Sequence, residues 1–379
     1  MDGLAARLTR APLHCDYYDA GRCRSCTLLP LPYDEQLARK QQHCADLLGD
    51  LGWLPPVTSP RERFRNKAKL VVGGTVDEPT LGILDEHRSG VDLRDCGLHT
   101  PGLQRAIGVL AGFVTLAALA PYDVPTRRGE LKHIIATESP DGELMVRFVL
   151  RSREAIPRIR KHLNVLLDAL PIRVLSVNLQ PAHAAILEGE EEIVLTDAAM
   201  LPMRLSTGIT LQLRPQSFFQ TNTGVATTLY ATARAWAVDI EPKRVLDLYC
   251  GVGGFALHLA GPGREAVGVE VSEQAVESAR TAAVEAGVDA RFEAADATAV
   301  RELRADLVVV NPPRRGIGPD LAGALETGGA TNVLYSSCRA ETLARDLAAM
   351  PSLHPTRAVL LDMFPNTDHY EVLVQLHRR

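Results

Sequence analysis

Apolar residues recur with two different spacings along this chain, and the pattern changes near residue 221. In the C-terminal part, short apolar runs such as 245–248 and 307–310 alternate with segments whose apolar residues lie three or four positions apart. Short apolar runs are typical of buried strands, and the wider spacing is typical of helices. Strands that alternate with helices form an open parallel sheet with helices on both faces. We therefore predict an α/β domain of Rossmann-like type over residues 216–379.

The preceding part of the chain has a different pattern. Residues 1–30 are rich in turn formers, and residues 34–52 have the spacing of an amphipathic helix. Strand patterns then dominate, interrupted by helical patterns at 101–120 and 154–170. We predict a cysteine loop with a helix over residues 1–56 and a central α+β domain with a largely antiparallel sheet over residues 57–215. The expected buried side of the first helix consists of Leu37, Cys44, Leu47, Leu48 and Leu51.

Composition places the chain among ordinary globular proteins, since it is 46% apolar and 23% charged. It has no apolar run of about 18 residues, so we expect no membrane span. Its first residues lack the apolar centre of a secretory signal, so we expect a cytoplasmic protein. Separately, we expect a monomer. In the cytoplasm its seven cysteines serve as metal ligands, catalytic groups or core thiols rather than disulfides.

Basic residues are concentrated before residue 162, although the net charge is −5. Between residues 61 and 69 five of them alternate with other residues, and an extended strand would place all five on one face. A solvated sheet face is one interpretation of each basic run. Three such runs together favour a surface that contacts phosphates, and the partner that we expect is RNA. The alternating residues are Arg61, Arg63, Arg65, Lys67 and Lys69.

A glycine-rich turn follows the strand pattern at 245–248 and precedes an apolar helical pattern. Glu270 ends the next strand and can accept both hydroxyls of a ribose, and Asp296 ends the strand after it. A further strand ends at Asn311 in the segment Asn-Pro-Pro-Arg. This order favours a site for S-adenosylmethionine (SAM) over a dinucleotide fold, which does not need the last segment. Enzymes that methylate exocyclic amino groups need an aromatic residue after the prolines, and Arg314 stands there instead.

Two residues further along are candidates for catalysis. Cys338 follows a strand pattern, beside Arg339 and before a helix, and a cation and a helix N-terminus both lower the pKa of a thiol. An inert thiol is the alternative interpretation. Glu371 lies among apolar strand residues, where burial raises the pKa of a carboxyl toward that of a useful base. Such a pair suits methylation of uracil at C5, because a thiolate on C6 activates C5 and a base then removes the C5 proton.

Four motifs in this order resemble the RNA (uracil-5-)-methyltransferase family: D-L-Y-C-G-V-G-G-F, N-P-P-R-R-G, Y-S-S-C and H-Y-E-V-L. The N-terminal cysteines and R-P-Q-S-F-F-Q-T-N resemble its 23S ribosomal RNA branch, which methylates the uracil called 747. The resemblance covers nearly the whole chain. It implies that Cys338 is the nucleophile and Glu371 the proton acceptor. It also implies a set of SAM contacts, namely Gln220, Tyr249, Glu270, Asp296 and Asn311.

The family pattern leaves the role of one residue and two alternative functions to be considered. Many family members have Asp where this chain has Asn311, so we assign Asn311 only a binding role. A tRNA T-loop uridine is an alternative target, since the chemistry is identical. A scaffold that binds RNA, SAM and an iron–sulfur cluster without catalysis is a different class, and the presence of both Cys338 and Glu371 argues against it.

Three cysteines near the N-terminus are spaced C-x7-C-x2-C, and a fourth, Cys96, lies farther on. Four thiolates suit zinc and iron–sulfur clusters equally, and unrelated loop thiols are a third interpretation. The family resemblance implies a [4Fe–4S] cluster held by Cys15, Cys23, Cys26 and Cys96. We expect such a cluster to hold the loop against the basic sheet.

Overall fold

The computed structural model describes residues 13–300 and 303–379. Residues 1–12, which begin the predicted cysteine segment, and residues 301–302 lie outside the described residues. Within the described ranges, no helix combines the length and apolar content needed to cross a membrane. The helices are α1 (Asp16–Asp19), α2 (Tyr33–Leu48), α3 (Pro101–Leu116), α4 (Ile156–Ala169), α5 (Thr223–Ile240), α6 (Gly254–Leu259), α7 (Glu273–Ala286), α8 (Gly318–Thr327) and α9 (Ala340–Ala348).

The strands form two large sheets and one hairpin. Those of the first sheet are β1 (Lys67–Gly74), β2 (Pro79–Leu84), β3 (Gly90–Asp92), β4 (Leu131–Glu138), β5 (Leu144–Leu150), β6 (Ile172–Leu179) and β7 (Glu191–Val194). The hairpin consists of β8 (Leu201–Arg204) and β9 (Thr210–Leu213). Those of the second sheet are β10 (Arg244–Leu248), β11 (Glu265–Glu270), β12 (Ala290–Ala294), β13 (Leu307–Val310), β14 (Asn332–Ser337), β15 (Leu353–Leu361) and β16 (Glu371–Arg378).

The first sheet has the strand order β3-β2-β1-β4-β5-β6-β7. Its neighbours are antiparallel except β5 and β6, which are parallel because α4 connects them as a crossover. One face is closed by a core in which residues of α3, such as Leu103 and Ile107, pack against Phe148 of β5. The predicted α+β arrangement is therefore the observed one.

The second sheet has the strand order β12-β11-β10-β13-β14-β16-β15. Its first five strands are parallel, while β16 runs antiparallel to β14 and β15 antiparallel to β16. The carboxyl ends of β10, β11, β12, β13 and β14 thus share one edge. The hairpin β8–β9 packs into this second core through Met203 and Leu211. The predicted boundaries at residues 56 and 215 stay predictions.

The basic alternation at 61–69 does not form one continuous strand face. Strand β1 begins only at Lys67, and residues 61–63 bend, with Arg63 at φ 55°. Lys67 and Lys69 do lie on the sheet face opposite the core. The residue between them and the alternate residues that follow on β1 are buried in that core. The strand interpretation is wrong for the first half of the run, where the chain instead turns toward Cys96 through the hydrogen bond from Arg63 N to Gly97 O.

Helix α2 packs through polar residues that the apolar pattern did not indicate. Its buried positions are Tyr33, Gln36, Lys40 and Cys44, whereas Leu47 is 39% exposed. The reason lies at the other end of the chain. The Lys40 ammonium is 2.6 Å from Asp362 Oδ1, and the Tyr33 hydroxyl donates to Asp362 Oδ2 at 2.7 Å. This buried network holds α2 against the segment between β15 and β16.

Candidate active site

The cofactor turn begins where β10 ends and leads directly into α6. Tyr249, Gly251 and Gly253 all have positive φ, so the chain reverses within a few residues. A Cβ on Gly253 would meet the Phe292 ring at 2.9 Å, and one on Gly254 would meet the Tyr230 hydroxyl at 2.5 Å. Glycine is therefore required at both positions for the turn to lie this close to its neighbours.

Two carboxylates face this turn from the next strand ends. Glu270, at the end of β11, accepts hydrogen bonds from Gly251 N at 3.2 Å and Ser272 N at 3.0 Å. Asp296 follows β12 and accepts from the backbone and side chain of Thr298, which lowers the pKa of that carboxyl. Both carboxylates keep oxygen lone pairs that can accept hydroxyl or amino groups of a bound nucleoside.

One cavity of about 650 Å³ contains both the predicted cofactor site and the predicted catalytic site. It runs along the carboxyl edge of the second sheet from the glycine turn to the end of β14. Every residue predicted to contact SAM lines it, and so do both predicted catalytic residues: Gln220, Tyr249, Glu270, Asp296, Asn311, Cys338 and Glu371. Parallel strands bring their carboxyl ends to one edge, which explains why residues so distant in sequence meet here.

Cys338 and Glu371 face each other across an antiparallel pair. In the register of β14 and β16, Ser336 pairs with Leu373 and Ser337 with Val372. Continuing that register by one position sets Cys338 opposite Glu371. Directly opposed residues on antiparallel strands have neighbouring side chains. Strand pairing, rather than the conformation of a loop, therefore brings the sulfur and the carboxylate together.

Glu371 is a buried carboxyl with one hydrogen-bond donor. Its side chain is 2% exposed, and the Ser336 hydroxyl donates to Oε1 at 2.6 Å. Burial raises the pKa of Glu371 to about 7, although the Ser336 hydrogen bond acts in the opposite direction. A carboxyl with a pKa near neutrality is suited to take up and release a proton, as the sequence suggested.

The Cys338 thiol departs from the expectation of a lowered pKa. Burial is the largest influence and the charge of Glu371 the next, and both raise the pKa of Cys338 above its ordinary value. The cation that opposes them is Arg314, which lines the same cavity and whose positive charge favours the thiolate. Arg339, the expected cation, instead directs its guanidinium to Glu341 at 3.3 Å. The prediction of a lowered pKa is therefore wrong, chiefly because the thiol is partly buried and, in addition, because a carboxylate lies opposite it.

Two more buried groups lie beneath the turn. Asp247 accepts from Ala256 N at 2.9 Å through Oδ2, while its Oδ1 has no hydrogen-bond partner among the described residues. Burial raises the pKa of Asp247 to about 7. Cys250 is also buried, and burial raises its pKa well above the ordinary value, which makes it a packing residue rather than a nucleophile.

Three residues of the site were not identified as functional from the sequence. Phe218 lines the cavity although its side chain is 73% exposed. Arg314 and Ser336 contact the two catalytic candidates directly. The pair of adjacent phenylalanines in a polar segment without a strand could have indicated Phe218 as a functional residue. The roles of Arg314 and Ser336 depend on tertiary contacts that the sequence does not show.

The four N-terminal cysteines lie around a separate cavity of about 340 Å³. Burial raises the pKa of Cys26 to about 12, and the charges of Cys96, Cys23 and Cys15 act in the same direction, so the thiols are close enough to interact. Among residues 13–300 and 303–379, however, no three His, Cys, Asp or Glu side chains are arranged to hold a metal ion.

Comparison with known proteins identifies relatives along the whole chain. The family described as tRNA (Uracil-5-)-methyltransferase matches residues 289–379, and the Methyltransferase small domain matches residues 210–322. Proteins of Yersinia pseudotuberculosis serotype I (strain IP32953) and Yersinia pestis (strain Pestoides F), both named 23S rRNA (uracil(747)-C(5))-methyltransferase RlmC, are 47% identical to this chain. Each alignment covers 97% of this chain and 100% of the relative.

A solved structure has the same fold over most of its length. The tRNA (uracil-54, C5)-methyltransferase of Pyrococcus abyssi, in complex with S-adenosyl-L-homocysteine, superposes with a TM-score of 0.81 at 28% identity. The match covers 93% of this chain and 85% of that structure. The predicted α/β fold of SAM-dependent methyltransferases is thereby confirmed.

The burial of Glu371 predicts a pH-dependent stability difference. Its folded-state pKa of about 7 lies above the ordinary 4.5, so the stabilisation from its bound proton is complete below about pH 4.5 and is lost as the pH rises through about 7. Glu371→Gln stays neutral throughout. Relative to the wild type, its free energy of unfolding should therefore rise by on the order of 3 kcal/mol between pH 4.5 and pH 8, measured by urea denaturation.

Glu326→Gln is a control, because its stability difference from the wild type should change with pH in the opposite direction. Hydrogen bonds from Ser352 hold the pKa of Glu326 below the ordinary value. Glu326→Gln should therefore lose stability relative to the wild type as the pH rises. If the Glu371→Gln difference does not change with pH, the raised pKa of Glu371 is wrong.

Proposed function

This chain belongs to the RNA (uracil-5-)-methyltransferase family, and on that premise we propose that it methylates C5 of a uridine in 23S ribosomal RNA, at a site of the uracil(747) type. The observation that carries the proposal is the opposition of Cys338 and Glu371 inside the cavity that also contains the glycine turn. A thiol, a buried base and a cofactor turn in one cavity are the groups that this reaction requires.

In the proposed reaction, bound SAM supplies the methyl group. The Cys338 thiolate adds to C6 of the uracil, and the C5=C6 electron pair moves toward O4, which leaves C5 nucleophilic. C5 would then take the methyl carbon as the bond between that carbon and the sulfonium sulfur breaks, and S-adenosyl-L-homocysteine would be the leaving group. Glu371 takes the proton from C5, the C5=C6 double bond reforms, and the bond between Cys338 and C6 breaks to release the thiolate. Each step uses a group that lines the same cavity.

Arg314 and Ser336 have defined parts in this scheme. The raised pKa of Cys338 means that the free thiol is protonated, and Arg314 is the group that opposes this by stabilising the thiolate. Ser336 holds Glu371 through its hydrogen bond at 2.6 Å and orients the carboxylate toward the position opposite the thiol. The cofactor would be held by Glu270 at its ribose, with Gln220, Tyr249, Asp296 and Asn311 around it.

The choice of 23S ribosomal RNA rests on the relatives named for it, which match the chain from end to end. A tRNA uridine is the second candidate, because the Pyrococcus abyssi enzyme of the same fold is named for uracil-54 of tRNA. Phe218 supports an RNA substrate in either case. Its exposed ring stands at the mouth of the cavity, where an unstacked base can lie against it.

The proposal includes a [4Fe–4S] cluster held by Cys15, Cys23, Cys26 and Cys96. The support for it is that the four thiols line one cavity and that none of the described cysteines forms a disulfide, although the thiols are not arranged as metal ligands in this structure. A bound cluster would supply four metal–sulfur bonds that fasten the loop to the first sheet. The loop already contacts that region through the hydrogen bond from Asp95 N to the Tyr17 hydroxyl at 3.2 Å.

Deletion of the gene tests the target. We expect mass spectrometry of nucleosides to show loss of 5-methyluridine from 23S ribosomal RNA and its retention in tRNA. Reintroduction of the wild-type chain should restore the modification, whereas a chain with Cys338→Ala should not. Loss from tRNA with retention in 23S ribosomal RNA would support the second candidate and overturn the first.

Substitution of the two catalytic candidates should produce different defects. Cys338→Ala removes the nucleophile and should abolish methylation with no adduct. Glu371→Gln leaves the thiol but removes the base, so the methylated uridine should stay attached to Cys338 and migrate with the protein in a denaturing gel. The matched control is Cys44→Ala, which should keep activity because Cys44 is buried on α2 and does not line this cavity. A fully active Cys338→Ala enzyme would disprove the mechanism.

Iron and acid-labile sulfide in the anaerobically purified protein test the cluster. We expect about four atoms of each per chain, with loss of both in Cys26→Ser. Cys44→Ser is the matched control, since Cys44 is fully buried on α2 outside the cysteine cavity. Stoichiometric zinc without sulfide would contradict the proposal.

A further inference from the structure

A second cavity lies on the other side of Cys338. It measures about 470 Å³ and is formed by α2, the start of α9 and the turn before β16. Cys338 and Arg314 line both this cavity and the main one, so the thiol stands at the boundary between them. We name it the α2 groove; its other lining residues are Arg39, Lys40, His43, Arg339, Glu341, Asp368, His369 and Tyr370.

The α2 groove is edged by cations in weak, exposed ion pairs. The Arg39 guanidinium is 62% exposed and lies 3.5 Å from Asp368, and that of Arg339 is 54% exposed and lies 3.3 Å from Glu341. Exposed pairs of this kind contribute little and exchange readily for another anion. Lys40 differs, because its charge is neutralised by buried Asp362.

Ring surfaces accompany these charges. His43 lies at the groove with its ring centroid 6.1 Å from that of Tyr370, and it is 46% exposed. Burial and the charge of Arg314 lower the pKa of His369, which favours its neutral form. Exposed guanidinium groups beside flat rings are suited to a nucleotide, whose phosphate is anionic and whose base has a flat face.

The substrate itself requires an opening next to the thiol. A uridine that reaches Cys338 remains joined to its neighbours through phosphodiesters, so the adjoining nucleotide must leave the site close to the sulfur. The main cavity is shared with the cofactor turn, while the α2 groove starts at Cys338 and contains none of the residues assigned to SAM.

We propose that the α2 groove binds the nucleotide adjoining the target uridine, with Arg39 and Arg339 on its phosphate and His43 beside its base. This inference rests on the proposed function, because it presupposes an RNA uridine at Cys338. It assigns to α2, the helix next to the cysteine loop, a direct contact with the substrate strand. Asp368 and Glu341 then compete with the phosphate for the two guanidinium groups.

The competition between Asp368 and the phosphate for Arg39 predicts that two substitutions change RNA affinity in opposite directions. Arg39→Ala should weaken binding of a 23S ribosomal RNA fragment that contains the target uridine. It should also make the slope of log K against log salt less steep by about 0.7 to 0.9, the value for one phosphate contact. Asp368→Asn should tighten binding of the same fragment, since it frees Arg39 from its carboxylate. Loss of fold would not produce a gain in affinity.

Two variants serve as controls for these measurements. Arg39→Lys keeps the charge and should retain most of the salt dependence. Arg291→Ala removes an exposed arginine that is likewise paired with one carboxylate, Glu265 at 3.2 Å, but lies on β12 at the opposite edge of the sheet. It should bind RNA as the wild type does. In steady-state methylation, Arg39→Ala should raise KM for the fragment more than it lowers kcat.

The result distinguishes failure of this inference from failure of the proposed function. If the wild type methylates the fragment but Arg39→Ala and Asp368→Asn bind it with the affinity and salt slope of Arg291→Ala, the α2 groove is not a nucleotide site. If the wild type methylates no uridine in either 23S ribosomal RNA or tRNA, the proposed function itself is wrong. A changed slope with an RNA fragment and none with inorganic phosphate would identify the strand, rather than free phosphate, as the occupant.

Discussion

The buried ion pair between Lys40 and Asp362 is the interaction on which the relation between the two ends of the chain depends. Neither charge reaches solvent, and removal of one partner would leave the other buried without compensation, which typically costs about 3–5 kcal/mol. Tyr33 adds its hydroxyl to the same carboxylate, and Gln36 accepts from Asn366 N at 2.8 Å. The helix that follows the cysteine loop is thereby fixed to the turn that leads into Glu371. The segment after the cysteine loop is joined to the same turn by the hydrogen bond from Leu28 N to Asn366 O at 2.9 Å.

Glu371 illustrates how the site trades stability for chemistry. A carboxyl with 2% exposure is destabilising when ionised, and its pKa near neutrality is the measure of that cost. The same burial makes it a competent proton acceptor in the physiological range. Its charge also raises the pKa of the opposing thiol, so base and nucleophile oppose each other's ionisation. The positive charge of Arg314 acts in the opposite direction and favours the thiolate.

The sequence predicted those parts of the site that follow from strand ends. Glu270, Asp296 and Asn311 end successive parallel strands, and parallel strands bring such positions to one edge whatever the details of packing. Contacts between distant segments could not be predicted in this way. The apolar pattern of α2 suggested that Leu47 is buried, yet a polar stripe containing Lys40 is buried instead, because its partner Asp362 lies 322 residues away. The pKa of Cys338 was mispredicted for a related reason, since its direction depends first on burial and then on the charge of Glu371 from another strand.

The antiparallel register of β14 and β16 has a consequence for how this enzyme can change over evolution. Cys338 directly follows one strand and Glu371 begins the other, so their spacing is set by backbone pairing and not by the length of the chain between them. Insertions or deletions in α9 or in the turn before β16 leave the two groups opposed. A single-residue insertion would instead turn Cys338 to the other face of the sheet if it lay within β14, and Glu371 if it lay within β16. Of the 32 residues between them, those outside β15 can therefore change in number, whereas the paired strands β14, β15 and β16 cannot.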